Sequence, residues 1–228
     1  MPFPGALGRG LKIAVIDSGV NLEHPHIVAE TRQVALGDAG YAGDDLLGHG
    51  TAVMAAIQEK APEAKYYAVK LFGSSLRTTA NRLLEAIEWA IGNEMDLVNL
   101  SLGTPNFEHL AEMERLVGRA REAGTLLVAA RHAAYRPVLP GSLQGVLAVD
   151  VDWQLPRHSY RAAVDDRGIF FYASGYPRPL PGLPPGRNLN GISFAVANLT
   201  GIAARCCERL PNRFVEAVCE ALAGTNPS

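Results

Sequence analysis

The chain is short of several things, and each shortage narrows what it can be. Only 19% of its 228 residues are charged and the formal net charge is -2, so there is no basic excess to seat a nucleic-acid backbone or an anionic membrane. Its three cysteines, Cys206, Cys207 and Cys219, all fall near the C-terminus. An odd set cannot pair completely, which sets aside a disulfide scaffold and points to reduced, partly buried thiols rather than a metal or redox role. No apolar run approaches ~18 residues, and the opening MPFPGALGRG is too rich in glycine and proline for a signal-peptide core. These shortages predict a cytoplasmic protein that engages neither membrane nor nucleic acid. Low-complexity linkers and internal repeats are missing too, while 48% hydrophobic residues suffice for one sizeable core. A single compact domain over residues 1–228, with no prodomain of its own, is expected.

What is present begins with three segments in a fixed order: IAVIDSGV, GHGTAVMAAI and NGISFAVANLTGIAA. They carry Asp17, His49 and Ser193, each at the edge of a regular element. A serine hydroxyl is a weak nucleophile near neutral pH and needs a base that titrates in the right range, which a histidine does. The imidazole in turn needs a carboxylate on its other nitrogen to fix its tautomer and support its charge. LKIAVIDSGV is an apolar run that predicts a buried parallel strand delivering Asp17 at its carboxyl end, where open α/β sheets bind ligands. His49 lies between Gly48 and Gly50 at the start of an apolar stretch, Ala52, Val53, Ala55, Ala56 and Ile57. Ser193 follows Gly191 and heads a run with the small residues Ala195, Ala197 and Gly201, so it would enjoy the free N–H groups and positive dipole end of a helix.

Strands are predicted at 11–16, 65–71, 97–100, 125–130 and 146–151, and helices at 51–60, 79–93, 107–123, 193–210 and 213–222. Leu83, Leu84, Ile87, Ala90 and Ile91 recur at helical spacing and give the second helix one apolar face. Strands alternating with such helices predict an α/β fold of three layers, a mostly parallel central sheet flanked by helices on both faces. YPRPLPGLPPGRN, with too many prolines for a ladder, reads as a stiff surface loop near the site. Asp44-Asp45 reads as a solvated turn. His24-Pro25-His26 lacks the further ligands that a metal site needs, so neither metal nor cofactor is expected.

The D-S-G, H-G-T and G-x-S-x-A segments, their order and the intervening VNLSLG resemble the subtilisin-like serine proteases, the subtilases; Asp, His, Ser is the chain order of subtilisin. The resemblance runs from about Leu11 to Ala204 and takes in YYAVKLF, AIEWAIGNEMDLVNLSLG and VLAVD. It implies a subtilisin-like fold and a peptide-bond hydrolase with Asp17, His49 and Ser193 as its triad. It also implies a substrate strand lying along Ser101-Leu102-Gly103, with Ala130 and Arg131 bordering the substrate site.

Departures from the family pattern bear on activity. Subtilases usually supply an oxyanion donor from an asparagine ending an Ala-Ala-Gly-Asn segment; here the stretch is LLVAARHAAYRP, and no asparagine occurs between Asn106 and Asn188. Counting from Gly124 puts Ala133 at that position, and one deletion puts His132 there. Losing one such donor typically costs ~10²- to 10³-fold in turnover; His132 or Arg131 could stand in, and Arg131 could equally line a pocket or point outward. Ile192 replaces the usual threonine, and Ala197-Asn198 replaces the usual Pro-His. The short connection from His49 to Tyr67 leaves no room for the calcium-wrapping insertion of many secreted relatives. Two function classes remain: a serine endopeptidase suited to processing a precursor peptide, with transpeptidation or cyclisation as a variant, or a pseudoprotease holding an extended peptide by β-augmentation. A separate prodomain or a leader-recognition partner fits either.

Overall fold

Along KIAVID five of the six side chains are buried, the pattern of a strand with neighbours on both sides and cover on both faces. This strand, β1 (Lys12–Asp17), belongs to a computed structural model that describes residues 1–36, 45–73, 75–76, 78–184 and 187–225. The further strands of its sheet are β2 (Thr31–Ala35), β3 (Lys65–Lys70), β4 (Leu97–Leu100), β5 (Leu126–Ala130), β8 (Leu147–Val151), β9 (Tyr160–Asp165) and β10 (Gly168–Ala173). Two-residue strands, β6 (His132–Ala133) and β7 (Arg136–Pro137), form a separate small ribbon. The eight strands run in the order β2-β3-β1-β4-β5-β8-β10-β9, parallel throughout except for the β9/β10 hairpin. From β3 the chain crosses over β1 to reach β4, so β1 lies where the winding changes sides.

Five helices cover this sheet: α1 (His49–Gln58), α2 (Ala80–Gly92), α3 (Leu110–Ala123), α4 (Ile192–Cys207) and α5 (Val215–Gly224). Because strand side chains alternate, Ile13 and Val15 of β1 join one core with Val53 and Ile57 of α1, Leu199 and Ile202 of α4 and Val218 of α5. Ala14 and Ile16 face the other way, into a second core with Leu83 and Ile87 of α2 and Met113 and Leu116 of α3. This is the three-layer α/β architecture that the alternating pattern predicts. Helix α4 is buried from Phe194 through Cys207, as a helix apolar on all sides must be. Its Gly201 lets α1 come close: a Cβ there would lie 2.9 Å from Lys60 Cβ.

Every predicted strand and helix is present, with ends shifted by a few residues. Three strands of the main sheet, and both of the small ribbon, have no counterpart in the predicted elements. Strand β2 sits on the sheet edge with none of its side chains fully buried, so Thr-Arg-Gln-Val-Ala carries no apolar signature. Strands β9 and β10 form the opposite edge, where a hairpin needs only one covered face. At the start of the predicted 107–123 helix, Phe107–His109 forms a separate 3-10 turn. Among the described residues no helix is long and apolar enough to cross a membrane.

Candidate active site

Asp17 ends β1 at the carboxyl edge of the sheet, beside the point where the winding changes sides, and is 1% exposed. His49 is the first residue of α1, and its Nδ1 lies 2.8 Å from Asp17 Oδ1. An ionised carboxylate only accepts, so Nδ1 carries the proton and a neutral ring keeps its lone pair on Nε2. Burial pushes the His49 pKa down, but the hydrogen bond to Asp17, its charge and that of Asp45 outweigh burial and leave it raised above 6.5. A raised histidine value makes this pair stabilising below about pH 6.5, and the contribution fades as pH climbs through the folded-state value. Asp17 also takes the Ser18 N–H at 2.8 Å on Oδ1, while its buried Oδ2 accepts no hydrogen bond from a described residue.

The first turn of α1 has no cap of its own, because the residue before it is Gly48 at φ 72°. Remote side chains supply the missing acceptors. Ser18 Oγ accepts the Gly50 N–H at 2.9 Å, and Asp45 Oδ2 accepts the Thr51 N–H at 2.8 Å and its hydroxyl at 2.7 Å. Asp45 Oδ1 gathers the Ser18 hydroxyl at 2.7 Å and the N–H groups of Leu47 and Gly48. Gly50 lets this turn press against β1: a Cβ there would lie 2.2 Å from the Gly19 carbonyl. Asp45 is thus not the solvated turn that the sequence suggests but a half-buried hub, since five donors converge on it; Asp44 lies outside the described residues. Burial raises its pKa, and the hydrogen bonds from Thr51, Ser18 and Leu47 more than reverse this. Asp45→Ala leaves those donors without an acceptor and is expected to cost about 3 kcal/mol of stability, read by chemical denaturation.

Ser193 is the second residue of α4, after Gly191 at φ 149°. The Gly191 N–H donates to the Gly175 carbonyl at 2.9 Å. Ser193 Oγ donates to the Ser101 carbonyl at 3.1 Å, and Ser101 Oγ donates to the Ser193 carbonyl at 3.3 Å. Asn99 of β4 holds this clasp: its Nδ2 donates to Ser101 Oγ at 2.8 Å and its Oδ1 lies 3.0 Å from the Thr200 hydroxyl. Neither Asn99 nor Ser18 stands out in the sequence, since each acts through partners remote in the chain, Thr200 for Asn99 and Asp45 and Gly50 for Ser18. The ring of Phe194 lies 5.6 Å from that of His49, so the head of α4 abuts the Asp17–His49 pair. Among the described residues there is no hydrogen bond between His49 and Ser193.

Ser101, Leu102 and Gly103 follow β4 as a half-buried extended segment. Thr104 closes it by pairing with Leu139 in both directions, at 3.0 and 2.9 Å. Among the described residues no backbone hydrogen bond occupies Leu102 or Gly103. Gly103 faces Val138, whose Cγ2 would lie 2.8 Å from a Cβ at that position.

Two other expected site residues are tied elsewhere. The Arg131 guanidinium stacks 3.9 Å above the Phe170 ring and pairs with Asp165 and Asp150. Arg131 lines a cavity of about 350 Å³ whose walls include none of Asp17, His49, Ser101, Leu102, Gly103 or Ser193. Its place is therefore neither beside the clasp nor in open solvent, because two carboxylates and an aromatic face hold it. His132 belongs to β6 rather than an irregular segment, and its Nδ1 lies 2.9 Å from Asp150 Oδ1. Ala130 is buried at the end of β5.

Asn198, standing where a histidine is usual, ties three pieces together. Its Nδ2 donates to the Ser174 and Tyr176 carbonyls at 2.9 and 3.0 Å, and its Oδ1 accepts from Lys60 Nζ at 2.7 Å. Burial pushes the Lys60 pKa down to about 8 against the opposing charge of Glu59. Among the described residues no group of three or more histidine, cysteine, aspartate or glutamate side chains is placed to hold a metal ion. The cysteines are unpaired and buried, and burial pushes the Cys206 and Cys219 thiols up to about 12, which leaves them unreactive.

The profile of the Subtilase family matches residues 8–149, more than half of the chain. The chain belongs to the subtilase family. A relative in Halalkalibacterium halodurans, described as a thermostable alkaline protease, is 31% identical over 91% of this subtilase and 60% of its own length. The subtilase thus spans about 60% of that relative. A cold-adapted subtilisin-like serine proteinase has the same fold, with a TM-score of 0.73 at 18% identity over 96% of this chain and 83% of that one. The prenylagaramide maturation protease PagA superposes with a TM-score of 0.62 at 26% identity over 87% of this chain and 75% of that one.

Proposed function

We propose that this subtilase is a serine endopeptidase in which Asp17, His49 and Ser193 form the triad. The observation that carries the reading is the 2.8 Å bond between Asp17 and His49 at the head of α1, with the head of α4 packed against the same histidine through Phe194. Ser193 Oγ leaves the Ser101 carbonyl for Nε2 of His49 and transfers its proton there as Oγ attacks the scissile carbonyl. The N–H of Ser193, in a first helical turn with no intrahelical carbonyl to serve it, donates to the oxyanion. His132 is the second donor in place of the usual asparagine: Asp150 accepts from Nδ1–H, so Nε2 donates to the oxyanion when the ring carries both protons; Arg131 is already committed to Asp165 and Asp150. His49 then gives its proton to the leaving amine, and a water repeats the sequence on the acyl-enzyme; an amine in its place gives transpeptidation. The acyl half of the substrate lies along Ser101, Leu102 and Gly103, where the Leu102 and Gly103 backbone groups are open to an added strand.

The likeness to PagA supports a narrow task, maturation of a precursor peptide. A single cytoplasmic domain working with a separate prodomain or leader-binding partner fits that task. The second reading, a peptide-binding pseudoprotease, is favoured by one observation, the Ser193 hydroxyl engaged with Ser101 rather than His49. A fluorophosphonate probe separates the two. An adduct mapped by mass spectrometry to Ser193, with cut products from a peptide library, is expected; neither adduct nor products leaves only the binding reading.

A further inference from the structure

A second cavity of about 370 Å³ opens between α1 and the proline-rich loop. Its walls reach the site at both ends: Gly48 immediately precedes His49, and Leu189 lies shortly before Gly191, whereas Ser101, Leu102 and Gly103 line no part of it. A peptide whose acyl half lies along 101–103 would send its leaving half toward this cavity.

The charges around it are unequal. Arg178 and Arg187 stand on its wall, and among the described residues neither makes an ion pair, although most other arginines of the chain do. The two come from opposite ends of one arch, closed where Asn188 Nδ2 donates to the Arg178 carbonyl at 3.4 Å and braced by turns at Leu180 and Pro184. Opposite them His24 and His26 stack edge to face, with ring centroids 5.1 Å apart. Burial, Arg178 and His24 together hold His26 below its ordinary value, so it is a neutral donor near pH 7. Among the described residues the one acid on the wall is Asp45, which already accepts from donors within the fold. The nearby Glu59 is taken up by a bidentate pair with Arg157 and by Lys60. Arg178 and Arg187 thus bring to this wall two guanidinium groups that no described carboxylate pairs with, a forked donor set that matches a carboxylate.

We propose that this cavity is a subsite for a carboxylate on the leaving side of the peptide, either an acidic side chain or a nearby C-terminus, with Arg178 and Arg187 as its counter-charges. The assignment rests on the peptidase reading and deepens it by giving the chemistry of the leaving half. It also gives the proline-rich loop a role, since both arginines belong to it.

A pool of quenched peptides, randomised before the cut and carrying Glu, Gln or Lys at each of the four positions after it, tests this at low salt. A parallel arm ends each neutral peptide in a free carboxylate or a carboxamide at the same distances. In the wild type one position is expected to favour the carboxylate by about tenfold in kcat/KM. In Arg178→Gln/Arg187→Gln that ratio falls toward one, and in Arg178→Glu/Arg187→Glu the preference passes to Lys over Gln. A loss of packing alone would slow both members of each pair alike and leave the ratio standing. Preference in the side-chain arm identifies an acidic residue, and preference in the terminal arm identifies a C-terminus. Cleavage with no carboxylate preference, or a preference that survives in both double variants, overturns the subsite alone. A wild type that neither cuts the pool nor takes the fluorophosphonate label overturns the peptidase reading and the subsite with it.

Discussion

Ser193→Ala is expected to lower peptide turnover by on the order of 10⁶-fold, the magnitude that losing the nucleophile has in a subtilisin, while the fold stands almost untouched. The fold is spared because Ser193 Oγ makes a single hydrogen bond, to the Ser101 carbonyl at 3.1 Å, whose loss costs about 1 kcal/mol. Alanine, the better helix former in the first turn of α4, offsets part of that. The Ser101 hydroxyl still reaches the residue 193 carbonyl, so the clasp between α4 and the 101–103 segment survives on its other bond. Chemistry has no such reserve, since no other residue in the first turn of α4 carries a hydroxyl. Tm and kcat/KM measured on the same preparation check both halves of the expectation. A loss of turnover accompanied by a large fall in Tm would mean that the hydroxyl is structural. A binding protein would lose neither.

How much of this site could be read in advance depended on whether the determining contact was local. Asp17 was legible because an apolar run has to become a central strand, and a polar residue at its carboxyl end has to emerge at the sheet's ligand-binding edge. The head of α1 was legible from glycines flanking His49 before an alanine-rich stretch. Helix α4 was legible because only a buried helix accommodates so long a run of small and apolar residues. Asp45 and Ser18 were not, since their value lies in capping a helix that begins several residues away and in holding it against β1. A carboxylate shortly before a helix whose own cap is Gly48 is the signal that could have raised Asp45. Arg131 stayed open between lining a pocket and pointing outward, because its partner Asp165 comes from a hairpin that the sequence pattern does not show. Without β9 and β10 there was no partner to assign.

Asp17→Asn is expected to cost about 10⁴-fold in turnover near neutral pH with the triad geometry intact. The carboxamide has nearly the shape of the carboxylate, but the Ser18 N–H and His49 Nδ1 both meet Oδ1, so turning the NH₂ toward the ring gives up the bond from Ser18 as well. What it loses is the obligatory acceptor opposite His49 Nδ1, at present 2.8 Å away. Turned with its NH₂ toward the ring, the amide makes Nδ1 the acceptor and places the ring proton on Nε2, the atom that must receive the Ser193 proton. The charge is lost as well. The hydrogen bond and the charge of Asp17 are what hold the His49 pKa above 6.5 against its burial, so the substitution lets that value fall. In the wild type, activity should therefore rise with pH through a midpoint above 6.5, since only the neutral ring can act as base. In the variant the residual activity should rise through a lower midpoint. A pH profile of kcat/KM for both proteins reads the two effects separately, the plateau reporting the tautomer and the midpoint reporting the charge. A variant that kept the wild-type plateau would show that Asp17 does not orient the base.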